Sequence, residues 1–121
     1  MAGYQELKVW QLAMRLTSGL YRITGSFPQH ELYGLTSQLR RAGVSVPSNL
    51  AEGHARGSVR EMVRFCRIAK GSIAEIETQL LIAVDLGYIA SEIVQPLLGS
   101  TAEIGRKISG LIRSLKPPEK D

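Results

Sequence analysis

The chain of 121 residues predicts an all-α protein of four helices. Two observations carry this. The long segments repeat their apolar residues at three-four spacing, and none alternates with the period of two that a strand requires. Glycine and proline then punctuate the sequence at three places, which leaves four helical segments with short connections. One domain over residues 1–116 is expected, with a tail of residues 117–121 left disordered by Pro117 and Pro118. Apolar residues make up 44% of the chain, enough for a core without staples.

Helix 1 is expected from about Glu6 to Thr24. Leu7, Trp10, Met14, Thr17, Tyr21 and Thr24 form one apolar seam. Val9, Leu12, Leu16, Leu20 and Ile23 form a second beside it, with Lys8, Arg15 and Arg22 as the polar ridge. Two seams exceed the stripe that one buried face needs. The expectation is that one seam packs on another copy of the chain, with the second seam as the candidate and Leu16 exposed in the single protomer; the residues alone leave open which of the two seams faces the neighbour.

Gly25-Ser26-Phe27-Pro28 breaks the chain. Helix 2 then runs from about Gln29–Leu32 towards Gly53, through Leu35, Leu39 and Ala42. Pro47 lacks a backbone N–H and must kink or restart it. Gly53 to Gly57 reads as a loop. Ser58-Val59-Arg60-Glu61 matches a capping box, with Ser58 as N-cap and Glu61 reaching back. Helix 3 follows to about Leu86, with the seam Met62, Cys66, Ala69, Ile73, Ile76, Leu80 and Ala83. Gly87 reads as its C-terminal cap, with Tyr88 behind it. Helix 4 runs from a Ser91 cap to about Leu115 along Leu97, Thr101, Ile104, Ile108, Leu111 and Leu115. Pro96 and Gly99 bend or weaken its first turns.

The charge is local. Between Arg40 and Lys70 stand Arg40, Arg41, Arg56, Arg60, Arg64, Arg67 and Lys70 against Glu52 and Glu61, a net +5 in a chain of net +4. Arg60, Arg64 and Arg67 fall within about 60° on one helix. They repel one another and lie near the positive end of the helix dipole, so helix stability does not account for them. Two partners suit such a ridge: the phosphate backbone of RNA or DNA, or an acidic protein. The bland alternative is a solvated face, or pairing with acids of neighbouring helices. Phe65 is expected about 100° from Arg64, which gives base stacking no support.

Catalysis finds no set of groups. His30, His54 and the single Cys66 lack metal-ligand spacing, so neither a metal nor a cofactor is expected. Glu75 and Glu77 face different ways on a helix, and no nucleotide or nucleophile motif occurs. The expectation is a protein that is not an enzyme. Asn49 and Glu52 beside Pro47 form a candidate polar pocket, though the favoured reading is that they cap the broken helix and satisfy its freed backbone groups. One cysteine, no leader pattern and no apolar run long enough for a membrane span fit a cytoplasmic protein.

Successive blocks also carry a resemblance. They are ELKVWQLAMRL, ELYGLTSQLRRAGVSVPSNLAEGHARGS, RFCRIAKGSIAEIETQLLIAVDLGYI and ISGLIRSLK. Together they resemble the four-helix-bundle family encoded in intervening sequences of bacterial 23S rRNA genes. The resemblance implies an all-α up-and-down four-helix bundle and a ring-like homo-oligomer, a pentamer in relatives. A more distant likeness is to the accessory protein of diversity-generating retroelements, a basic pentamer that associates with a reverse transcriptase and nucleic acid. No catalytic residues follow from either.

Overall fold

In a computed structural model, residues 3–115 of the chain are described; the expected tail at 117–121 lies outside them. Four α-helices follow one another: α1 Lys8–Thr24, α2 Leu35–Ala55, α3 Val59–Asp85 and α4 Ser91–Leu115. Short 3-10 turns at Tyr4–Glu6 and Gln29–Glu31 precede α1 and α2. Each helix packs on its neighbour in sequence and α4 closes back on α1, while the diagonal pairs stay apart. Short connections make such neighbours antiparallel.

The helix ends follow local chemistry. The Ser58 hydroxyl accepts the Glu61 N–H at 3.1 Å and starts α3. The reciprocal half of the box does not form, because the Glu61 carboxylate turns to Arg56 and Arg64 instead. At the other end Gly87 adopts φ +77°. The Tyr88 N–H donates to the Ala83 carbonyl at 2.9 Å and the Gly87 N–H to Val84 at 3.0 Å, which ends the helix in a Schellman motif. Helix 2 departs from expectation at both ends. It begins at Leu35, whose N–H donates to Glu31 Oε1 at 3.0 Å. It also continues through Gly53 to Ala55. The Tyr88 hydroxyl donates to Glu31 Oε2 at 2.8 Å. The Leu35 N–H first, and then this hydroxyl, hold the Glu31 carboxyl below its usual range.

Pro47 lies inside α2, which neither stops nor restarts there. The missing N–H frees the Gly43 carbonyl one turn back. Thr17 Oγ1 of α1 stands 2.8 Å from that carbonyl and 2.8 Å from the Ala13 carbonyl, so its single proton serves either acceptor. Glycine at 43 makes the approach feasible, since a Cβ there would come within 2.9 Å of a Leu20 methyl. Asn49 plays no part in this repair. Its amide donates to Ser45, to the carbonyl at 2.8 Å and to Oγ at 2.9 Å.

The core runs the length of the bundle. All seven expected seam residues of α3 are buried, joined by Phe65. Val94, Thr101, Ile104 and Ile108 supply the buried stripe of α4, with Leu97, Leu111 and Leu115 packed at its margin. Pro96 and Gly99 sit within a continuous helix.

Helix 1 corrects the sequence reading. Its buried stripe is Val9, Ala13, Leu16, Leu20 and Thr24. Leu16 is 3% exposed and Leu20 0%. The seam assigned to another copy therefore faces the protomer's own core, with Leu12 and Ile23 packed at its edge. Met14 and Tyr21 of the first seam are the residues left at the surface. The buried stripe takes Val9, Leu16 and Leu20 from the second seam, Thr24 from the first and Ala13 from neither.

Candidate nucleic-acid interface

The seven cations of the Arg40–Lys70 segment divide by what they touch. Arg40 is a clip between helices. Its Nε donates to Thr24 Oγ1 at 2.9 Å, and its guanidinium lies 4.8 Å from the centre of the Tyr21 ring. This places a cation at the C-terminal end of α1, where free carbonyls favour it. Arg40→Ala should lower stability by about 1–2 kcal/mol through the lost hydrogen bond and ring contact. Thermal melts of the variant beside the native chain check this.

Arg56 and Arg64 close the α2–α3 corner. Arg56 pairs with Glu52 at 2.7 Å and with Glu61 at 3.2 Å. Its hydrogen bond to Glu52, first of all, raises the guanidinium pKa further. Arg64 lies 3.6 Å from Glu61. Both guanidinium groups cover the Phe65 ring, at 5.1 and 4.9 Å from its centre. The expected separation of Phe65 from Arg64 is thus corrected: the long Arg64 side chain reaches the neighbouring ring, and Arg56 comes to it from the end of α2. The ring is 6% exposed, so it offers no face for a base. These surface pairs exchange readily with solvent and salt.

Arg41, Arg60, Arg67 and Lys70 remain. All four are exposed and make no ion pair among the described residues. Asn49 and Glu52 do not converge on a pocket: Asn49 bonds to Ser45 and Glu52 to Arg56. Cys66 is buried in the core, and burial pushes its thiol up to about 11. A protonated thiol at neutral pH is a poor nucleophile. Among the described residues, no group of three or more His, Cys, Asp and Glu comes together as a metal site.

A cleft between α3 and α4 extends the basic surface beyond the segment read from sequence. One lobe, of about 580 Å³, is lined by Arg67, Lys70 and Arg113 over Gly71, Ser109 and Ile112. The adjoining lobe, of about 430 Å³, shares Lys70, Ser109 and Arg113 and adds Arg106. Sequence reasoning missed Arg106 and Arg113. Their spacing of seven places them on one face of α4, but only the packing of α4 against α3 shows which cations they face.

The fold and this surface define a class: a small all-α bundle with basic residues gathered on one helix pair and no assembled catalytic set among the described residues. The chain belongs to the 23S rRNA-intervening sequence protein family, whose model matches residues 5–110. A solved structure from Bacteroides thetaiotaomicron, described as a protein of unknown function from the S23 ribosomal protein family, shares the fold with a TM-score of 0.78. It is 18% identical, and the match covers 87% of this chain and 98% of that one. No curated protein matches the sequence. No helix among the described residues is long and apolar enough to cross a membrane.

Proposed function

We propose that the protein is a non-enzymatic, homo-oligomeric bundle that binds the backbone of RNA or DNA through the exposed cations of α3. The carrying observation is the division of the arginines. Arg40, Arg56 and Arg64 have structural partners, whereas Arg60, Arg67 and Lys70 stand on α3 without acidic ones among the described residues. Unpaired surface cations gathered on one side attract phosphates with little regard to sequence. Repetition of that surface in an oligomer, a pentamer by family resemblance, strengthens weak contacts through effective concentration. The second α1 seam being internal, the apolar surface left for self-association on α1 is Met14 and Tyr21. Leu81, Leu86 and Ile93, each more than half exposed, offer apolar area where α3 passes into α4.

Purified protein should bind labelled duplex DNA or structured RNA with an affinity that falls linearly with salt on logarithmic axes. Arg67→Glu with Lys70→Glu should weaken binding at least tenfold and leave the mass by light scattering unchanged. Native affinity in that double variant removes α3 from the interface. Capture of an acidic protein that survives nuclease treatment, without nucleic-acid binding, would favour a protein-docking scaffold instead.

A further inference from the structure

We infer that the α3–α4 cleft holds one phosphodiester strand of a nucleic acid, its phosphates on Arg67, Lys70, Arg106 and Arg113. This rests on the nucleic-acid reading above and names the site within it.

Three independent features converge there. The first is charge. Arg67, Lys70 and Arg113 line one lobe with no carboxylate among its lining residues. Glu77 is the acid of the adjoining lobe; Thr101 Oγ1 stands 2.8 Å from its Oε2 and 2.9 Å from the Leu98 carbonyl, so the one hydroxyl proton serves either acceptor. The four cations make no ion pair among the described residues. The cleft thus gathers four cations from two helices against the single carboxylate of Glu77, and a concave low-dielectric wall focuses such a field.

The second is spacing. Arg106 and Arg113 stand seven residues apart, about 10 Å along the helix axis. That length exceeds a single phosphate group, so the two guanidinium groups can meet different phosphates of one chain. A track of cations of this length fits a chain of phosphates better than a single anion.

The third is the floor. Gly71 and Gly105 lie well inside α3 and α4. A Cβ at either position would meet nothing within 4 Å. Packing within the protomer therefore gives no reason for glycine, while glycine weakens a helix relative to alanine. Absence of side chains leaves the backbone open to close approach by a bulky sugar-phosphate chain. Ser109 adds a hydroxyl donor on the wall shared by the two lobes.

The test uses the full chain with 30-nucleotide single-stranded RNA and DNA of one sequence, followed by fluorescence anisotropy across a salt series. Gly71→Leu with Gly105→Leu fills the cleft and leaves every cation in place. Arg106→Ala with Arg113→Ala removes two cations and leaves the exposed arginines of α3 untouched. Both variants should bind about tenfold more weakly than the native chain. The alanine pair should also shallow the logarithmic salt slope by about 1.4, at about 0.7 per phosphate contact on a single strand. Preference between the two strands tells RNA from DNA, and either supports the site.

Native binding by both variants, while the wild-type protein binds, overturns the cleft and leaves the nucleic-acid reading standing. Failure of the wild-type protein to bind either strand overturns both. A lower mass of the leucine variant by light scattering assigns the cleft to a contact between copies and also overturns the proposal. Should the leucine variant not fold, the alanine pair decides alone, since its side chains are on the surface.

Discussion

Leu16→Glu should leave the protein unfolded at 25 °C, not folded and dissociated. Leu16 is 3% exposed within the α1 stripe that faces the core. Removing its side chain to alanine costs about 2–5 kcal/mol in a packed site. Glutamate adds the cost of burying a charge or of holding a neutral carboxyl without a partner, again several kcal/mol. The total stability of a domain of this size is about 5–15 kcal/mol, so the sum consumes most or all of it. Circular dichroism at 222 nm should show loss of helix, and light scattering an expanded or aggregated chain. A helical product of reduced mass would instead place Leu16 between copies and contradict the packing described above. Leu12→Glu is the informative companion: Leu12 is only partly buried at the core's edge, and its cost should be smaller.

Gly53→Ala and Gly99→Ala should move stability in opposite directions. Both glycines are inside helices, where alanine is favoured by about 1 kcal/mol. At Gly99 a Cβ meets nothing within 4 Å, so the propensity gain should appear as a melting temperature higher by about 3–5 °C. At Gly53 the same Cβ would lie 2.8 Å from Phe65 Cβ, 3.1 Å from Met62 Sδ and 3.3 Å from Met62 Cα. Two of those atoms belong to the backbone or sit directly on it, and they move only if α2 and α3 separate. Overpacking of this kind costs about 1–3 kcal/mol, which exceeds the propensity gain. A matched pair of thermal melts checks both signs. A stabilised Gly53→Ala variant would mean that the α2–α3 corner is looser than its geometry indicates.

That corner shows how sequence and structure share the explanation. Gly53 read as the start of a loop, because a glycine after an apolar run is the usual sign of a helix end. In the structure it is a packing residue inside the last turn of α2. Pro47 likewise read as a kink. Its cost is absorbed because Gly43, four residues earlier, lets α1 come close enough for Thr17 to approach the freed carbonyl. Pro47 and Gly43 are both visible in the sequence, but their relation to Thr17 spans 26 residues and has no local signature.

The candidate interface was legible in part. The local excess of charge pointed to α3, and Arg60, Arg67 and Lys70 are indeed exposed there. Counting charges could not separate them from Arg40, which clips α2 to α1, or from Arg56 and Arg64, which cover Phe65. All six have long flexible side chains, and where such a chain ends depends on what lies within its reach.

By itself the sequence determined the four helices, the ends of α3 and the buried faces of α3 and α4. These depend on residues within a few turns of one another: a hydroxyl three positions before its N–H, a glycine free to take positive φ, an apolar repeat. Tertiary structure decided which α1 seam is internal, which cations are free and that α4 brings Arg106 and Arg113 to the cleft beside Arg67 and Lys70. Those outcomes depend on distances between helices far apart in the chain. An apolar or charged pattern states that a face must be satisfied, and only the assembled bundle states by what.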